Sequence, residues 1–232
     1  MKQAVTLFHG SPTIIQAPVF GQGNPNNDYG LGFYCTETLE LAKEWACSSD
    51  QDGFANRYTF FPEGLSILNL SGGNYNILNW LTILLVNRVF SLSSDIAVRA
   101  KEYLVKTFLP DYLSYDVIVG YRADDSYFSF AAAFLNNTIS LAQLEKAMLL
   151  GKLGEQVVIK SPLAFQRLRF EEGIPAERRI FYPQRTARDS EAREAFRSER
   201  RGQPVSDAVY MIDILRGEWR NDDTRLRRNL SE

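Results

Sequence analysis

Apolar positions alternate weakly from Ala4 to His9 and stop at Gly10, which predicts a short strand. Ser11 to Asp28 is rich in Pro, Gly, Asn and Gln and reads as a loop, long for a compact domain. A short buried strand is expected over Gly32 to Thr36. Thr36-Glu37-Thr38-Leu39-Glu40 then fits a helix cap, and Leu39, Ala42, Lys43, Ala46 and Cys47 form the helical stripe behind it. Further strands are predicted at Arg57 to Phe61, Ser66 to Leu70, Tyr115 to Tyr121, Glu155 to Lys160 and Gln166 to Phe170. Helices are predicted at Tyr75 to Phe90, Ile96 to Phe108, Ser126 to Leu135 and Ser140 to Leu150.

Beyond Gly173 the pattern changes. Ala187 to Arg201 alternates Glu and Arg, which favours a solvated helix with ion pairs one turn apart. Val209, Ile212 and Leu215 give the segment from Val205 to Leu215 one apolar face. The expected organisation is one α+β domain over residues 1–175 and an Arg/Glu-rich helical extension over 176–232.

Composition narrows the class. The chain has 232 residues, 45% of them hydrophobic and 23% charged, enough for a core that needs no metal or disulfide. A net charge of −2 excludes a chain-wide basic nucleic-acid binder. Two cysteines, Cys35 and Cys47, are too few for a disulfide framework or a zinc site and point to a reducing compartment. The most apolar stretch, Ile77 to Phe90, is interrupted by Asn79, Thr82, Asn87 and Arg88, so it reads as a buried helix rather than a membrane span. A soluble, cytoplasmic protein is expected.

Candidate chemistry gathers near the N-terminus. His9 is the sole histidine, in Phe8-His9-Gly10-Ser11, so no two-histidine metal motif exists. No Gly-x-Ser-x-Gly elbow is present either. Gly30-Leu31-Gly32 lacks the third glycine and the preceding strand of a dinucleotide fingerprint. A core histidine and a tight turn with a core tyrosine are the plain readings of these two segments. The alternative is a cleft in which glycines admit a ligand to the backbone, while Tyr34 and Trp45 stack on a flat ring.

Taken together, Phe-His-Gly-Ser, Asp28-Tyr29-Gly30-Leu31-Gly32-Phe33-Tyr34-Cys35-Thr36 and a helix with Ala42-x-x-Trp45-Ala46 resemble the ADP-ribosyltransferase superfamily. The likeness is to its histidine–tyrosine–glutamate branch, and most to small bacterial domains met beside toxin–antitoxin genes. It covers the first motif block well and Tyr115 to Phe170 more loosely; the C-terminal extension lies outside it. The resemblance implies a split antiparallel β-sheet cleft with helices around it, and NAD as co-substrate. It implies that His9 holds the adenine-side ribose and that Gly10 binds the nicotinamide carboxamide through its backbone. Ser11 would touch the nicotinamide or its ribose. Tyr34 and Trp45 would take the two aromatic positions, and Gly32 would flank the ligand; Asp28 either caps the loop or faces the substrate.

The branch also expects a glutamate on a late strand, bonding the nicotinamide-ribose hydroxyl. Here the candidate segment is Gly154-Glu155-Gln156-Val157. Neighbours on a strand face opposite ways, so only one of Glu155 and Gln156 reaches the ligand. By alignment Gln156 takes the position; a shift of one residue gives it to Glu155. A glutamine accepts the hydroxyl bond but brings no charge, a loss worth about 100-fold in rate. Asp124 and Asp125 are either a helix cap or carboxylates at the cleft edge.

Three functions follow from the resemblance. The first is transfer of ADP-ribose from NAD to a macromolecule, as a bacterial toxin would do, with the C-terminal extension binding an antitoxin or other protein partner. The second is a catalytically silent NAD-binding or interaction module. The third is an NAD glycohydrolase.

Overall fold

The computed structural model describes residues 4–92, 94–123, 125–150, 154–201 and 208–226. Strand β1 (Val5–Ser11) runs two residues past its predicted end because strand β3 (Gly53–Phe60) pairs with all of it, from Val5↔Phe60 to Ser11↔Phe54. Strand β7 (Leu168–Ala176) completes this antiparallel sheet in the order β1-β3-β7. It extends through Pro175, which an edge strand tolerates because one side of its backbone has no neighbour to bond.

The second sheet holds β2 (Phe33–Cys35), β4 (Ile67–Asn69), β5 (Val117–Tyr121) and β6 (Glu155–Ile159), in the order β2-β6-β5-β4. Its pairs are antiparallel except β4 with β5, which is parallel. The architecture is mixed α+β, as the pattern of the chain predicts, and has two sheets.

Among the described residues one isolated bridge joins the sheets. Phe8 and Thr36 exchange both backbone bonds, at 2.8 and 2.9 Å. Below the bridge the two strands share a core of Leu7, Cys35, Phe60, Val117, Val157 and Ile159. Thr36 pairs with Phe8 through its backbone and is not the N-cap of the next helix. Helix α1 (Leu39–Ala46) starts instead from Thr38, whose own side chain makes no cap bond; Thr36 Oγ1 accepts the Thr38 N–H at 3.2 Å.

Two compact units are recognised. The first comprises residues 1–69, 112–122 and 153–188 and contains both sheets, α1 and the short helix α6 (Pro162–Phe165). The second comprises 70–111, 123–152 and 189–232. It holds α2 (Ile77–Asn87), α3 (Asp95–Phe108), α4 (Asp125–Leu135), α5 (Leu141–Leu149) and α8 (Met211–Arg216). Helix α7 (Arg178–Arg201) begins in the first unit and ends in the second.

This division differs from a body-plus-tail chain cut at residue 175. Glu44 on α1, 2% exposed, accepts two bonds from Arg188 on α7, at 2.7 and 3.0 Å, which ties the start of the extension into the sheet unit. In the second unit Ala192 and Phe196 are buried, so α7 is not solvated all round. One expected ion pair is present, Arg193 to Asp189 at 2.7 Å.

The helix predicted over Val205 to Leu215 starts at Met211, and residues 205–207 lie outside the described set. Among the described residues no helix is long and apolar enough to cross a membrane.

Candidate functional site

The strands separate immediately after the Phe8–Thr36 bridge. Were the ladder to continue, Gly10 would stand opposite Tyr34. Instead the His9 imidazole fills the step: its Nδ1 lies 2.7 Å from the Tyr34 carbonyl oxygen. A carbonyl can only accept, so Nδ1 carries the hydrogen and Nε2 is left as an acceptor on a neutral ring. Burial lowers the His9 pKa and outweighs the raising effect of the Tyr34 bond; the Arg122 charge lowers it further.

This wedge decides what Gly10 offers. Backbone groups in an antiparallel strand alternate sides, and Phe8 turns both of its own toward Thr36. Two residues on, Gly10 turns its N–H and C=O to the same edge, where no strand among the described residues follows. One donor and one acceptor therefore face the gap beside Tyr34.

The missing side chain at Gly10 has another cause than the one expected. A Cβ there would lie 2.2 Å from the Ala42 carbonyl oxygen and 2.8 Å from the Ala46 nitrogen, both on α1. The glycine admits the helix; its N–H and C=O lie along the strand edge, not where a side chain would stand. Gly32 is similar. Its Cβ would meet Val158 Cγ1 at 2.7 Å and the Ile159 carbonyl at 3.1 Å, so it lets this segment pack closely on β6. Gly30, at φ +74°, makes the tight turn.

The His9 and Tyr34 rings take opposite faces of β2. The His9 ring stacks on Phe33, with centroids 4.2 Å apart and planes 27° from parallel. Phe33 and Tyr34 are neighbours on β2, so the Tyr34 ring lies on the opposite face. Its hydroxyl donates to the Gly30 carbonyl at 2.5 Å and accepts the Tyr29 N–H at 3.0 Å, which fixes the turn leading into β2.

Register places Gln156 on the Tyr34 face. Tyr34 pairs with Val158, and Gln156 lies two residues along β6. Gln156 is buried and Glu155 is exposed. Gln156 Nε2 donates to Asp28 Oδ2 at 2.8 Å, and Tyr121 O lies 3.5 Å away. Asp28 itself is 7% exposed, at the end of the long loop.

Ser11 is drawn elsewhere. Its Oγ donates to the Thr13 carbonyl and accepts from Asn56 Nδ2 at 3.1 Å.

Trp45 is not an open stacking surface. The Arg122 guanidinium sits 3.2 Å from its ring centroid and that of Arg185 4.4 Å. Its Nε1–H is buried and has no partner among the described residues. Asp124 lies outside the described residues, and Asp125 opens α4. No cluster of three metal-ligating side chains occurs among the described residues.

A family model described as "Protein of unknown function (DUF3990)" matches residues 5–170, more than half of the chain. The chain belongs to the DUF3990 family. No curated protein and no solved structure matches it.

The DUF3990 match spans His9, Gly10, Asp28, Tyr34, Trp45 and Gln156, and ends before Arg185 and Arg188. Within it lie two residues that the sequence reading passes over. Asn56, fully buried, holds the start of the long loop: its Oδ1 accepts the Ile15 N–H at 2.9 Å, and its Nδ2 faces Ser11 Oγ and the carbonyls of His9 and Thr13. Tyr29, also fully buried, holds the end. Its hydroxyl donates to Tyr121 O at 2.6 Å, and its carbonyl accepts from Lys160 Nζ at 2.6 Å. A polar Asn56 directly after the apolar Phe54-Ala55 was the available signal for the first; Tyr29 gave none.

An apolar cavity of about 340 Å³ lies in the same unit, lined by Val5, Leu7, Phe60, Ile67, Val117 and Val157, with Glu37 beside them. Val157 and Gln156 are neighbours on β6, so this cavity is on the face away from Gln156.

Proposed function

We propose that the chain is an NAD-dependent ADP-ribosyltransferase whose donor site is the gap between β1 and β2. The observation that carries this reading is the unmatched backbone edge of Gly10. It offers one N–H and one C=O, side by side, to anything in the gap. A primary carboxamide has the complementary pair of groups, and nicotinamide carries one.

The Tyr34 ring and the buried Gln156 lie on one face of the adjoining strands, suited to a flat ring and a ribose hydroxyl. His9 Nε2 is an acceptor available to a second hydroxyl. The two-sheet α+β arrangement fits the split cleft of that superfamily.

In this reading the nicotinamide–ribose bond breaks as positive charge grows on the ribose. The protein's part is orientation and electrostatic stabilisation. Trp45, its ring occupied by guanidinium groups, does not stack on the nicotinamide; the cations beside it suit the pyrophosphate. The bacterial-toxin role, the macromolecular acceptor, an antitoxin partner on the C-terminal extension and a cytoplasmic site of action belong to the same proposal. Both cysteines are free and buried, as a reducing compartment allows.

A second reading, a silent NAD-binding module, is favoured by one observation: the side chain facing inward from β6 is Gln156, an uncharged amide. Incubation with NAD labelled in its adenosine moiety, alone and with bacterial lysate, separates the readings. Label on a macromolecule supports transfer, and free ADP-ribose supports hydrolysis. Saturable binding without turnover supports the silent module. No binding at all refutes the NAD reading.

A further inference from the structure

Gln156 is held by its amide nitrogen, and that leaves its oxygen with a definite direction. Nε2 donates to Asp28 Oδ2 at 2.8 Å, with Tyr121 O on the same side at 3.5 Å. A carboxylate can only accept, so the amide cannot flip without setting two acceptors against each other. Oε1 consequently points away from Asp28. It has no partner among the described residues, and it is not among the wholly buried atoms that lack one. An acceptor oxygen is thus presented to the Tyr34 face, backed by a buried carboxylate.

Asp28 is not there by the accident of a loose loop. Tyr29, its neighbour, is anchored on β2, β5 and the residue after β6 through its N–H, hydroxyl and carbonyl. Gly30 turns the chain at φ +74°, and its N–H donates to the Asn27 carbonyl at 2.9 Å. The backbone on both sides of Asp28 is fixed in this way, so the carboxylate is delivered to Gln156 by the fold.

We propose that Asp28 and Gln156 act as one acidic unit: Gln156 Oε1 accepts a ribose hydroxyl, and Asp28 supplies, through the Gln156 amide, the negative charge that the glutamine lacks. Gln156 touches the substrate; Asp28 is a positioning residue that also polarises the amide. The proposal rests on the NAD-transfer reading. In the step concerned, the bond from the anomeric carbon to the nicotinamide nitrogen breaks, and its electron pair goes to the pyridinium ring, which leaves neutral. The positive charge passes to the ribose, whose hydroxyl is held by Gln156. The acceptor's oxygen or nitrogen, or a water, then bonds the anomeric carbon and releases its proton to solvent. Hydrogen bonds strengthen when one partner is polarised by a charge behind it, and a low local dielectric amplifies the effect.

The test is a charge-relocation cycle on the full chain, read by two independent measurements. Asp28→Asn removes the charge and keeps the shape. Nicotinamide release from NAD falls about tenfold to 100-fold in kcat, with the Kd for NAD within about twofold of wild type. Gln156→Glu alone puts two carboxylates 2.8 Å apart and lowers Tm at neutral pH. Combining the two restores Tm and returns kcat to at least the wild-type value, because the amide introduced at position 28 then donates to a carboxylate at position 156.

A merely structural Asp28 would lower the Tm of Asp28→Asn and leave the kcat of its folded fraction at the wild-type value. Three results overturn the proposal. In a chain that turns over NAD, wild-type kcat in Asp28→Asn removes the role of the charge. Equal Tm for Gln156→Glu and the double variant removes the pair itself. No NAD turnover by the wild-type chain, with the Tm cycle as expected, removes the transfer reading and the catalytic role with it while leaving the pair in place.

Discussion

Helix α1 rests directly on sheet backbone, and this can be tested by adding single methyl groups. A Cβ at Gly10 would lie 2.2 Å from the Ala42 carbonyl oxygen, and one at Gly53 2.1 Å from that of Ala46. An ordinary contact between such atoms is about 3.3 Å, so α1 must move by about 1 Å to admit either methyl. Both neighbours are backbone atoms of one helix and cannot swing aside. Overpacking of this kind costs about 1–3 kcal/mol.

Gly10→Ala and Gly53→Ala are each expected to lose about 2 kcal/mol in urea unfolding, with an unchanged m-value. One displacement of α1 serves both methyls. The double variant is therefore expected to cost about 1 kcal/mol less than the sum of the singles, the sub-additivity of residues that share a neighbour. A Gly10→Ala loss below about 0.5 kcal/mol, or strict additivity in the cycle, would refute the claim that both glycines exist to seat this helix.

Three further outcomes follow from the same structure. His9 has a folded pKa below its unfolded value, so the unfolded chain binds more protons near pH 6; stability is full above about pH 6.5 and falls as pH drops, by at most about 1.4 kcal/mol per pH unit. Glu145, raised to about 7 by burial, acts in the opposite sense, losing its contribution as pH climbs from the unfolded value toward 7. In a Glu145→Gln background the fall should therefore be steeper, and adding His9→Gln should flatten it; an unchanged profile after removing the sole histidine would contradict the burial argument.

Glu44→Gln leaves Arg188 without its carboxylate. A loss of about 2 kcal/mol in chemical denaturation is expected, modest because Arg188 keeps some solvent contact; no loss would mean that the pair does not bind α7 to α1. Asn56→Leu keeps the volume but strands the Ile15 N–H and several carbonyls. About 3 kcal/mol of destabilisation is expected, with faster hydrogen exchange at Ile15; protection there would show that the loop is held by other means.

Much of the sheet unit was legible because its strands carry strong apolar runs. Val117–Tyr121 and Glu155–Ile159 fall inside their predicted spans, and the alternation of Glu155 and Gln156 correctly sends one outward and one inward. The missed parts share a cause. The N-terminal half of β3 and the end of β7 contain Gly53, Asn56, Gly173 and Pro175, residues that read locally as turn formers, and only pairing with β1 and with each other makes them strand.

Side-chain roles at the site depended on which edge or face of a strand was already occupied. His9 was singled out by its rarity, yet its place opposite the Tyr34 carbonyl follows from the strands parting after Phe8 and Thr36, which no local pattern records. Trp45 matched a motif, but Arg122 and Arg185, distant in sequence, cover its ring. The extension looked solvated because its charges alternate, while Arg188 answers a carboxylate 144 residues away.

The open backbone edge of Gly10 is the centre of the proposed donor site. The direct measurement is a titration of the isotope-labelled protein with nicotinamide and then NAD, following backbone amide resonances. The Gly10 amide is expected to shift downfield and saturate with both ligands, while the Asn56 side-chain amide, fully engaged within the protein, stays in place. A Gly10 resonance that does not move at ligand concentrations that perturb others, or no perturbation anywhere, would contradict a carboxamide seated in the gap between β1 and β2.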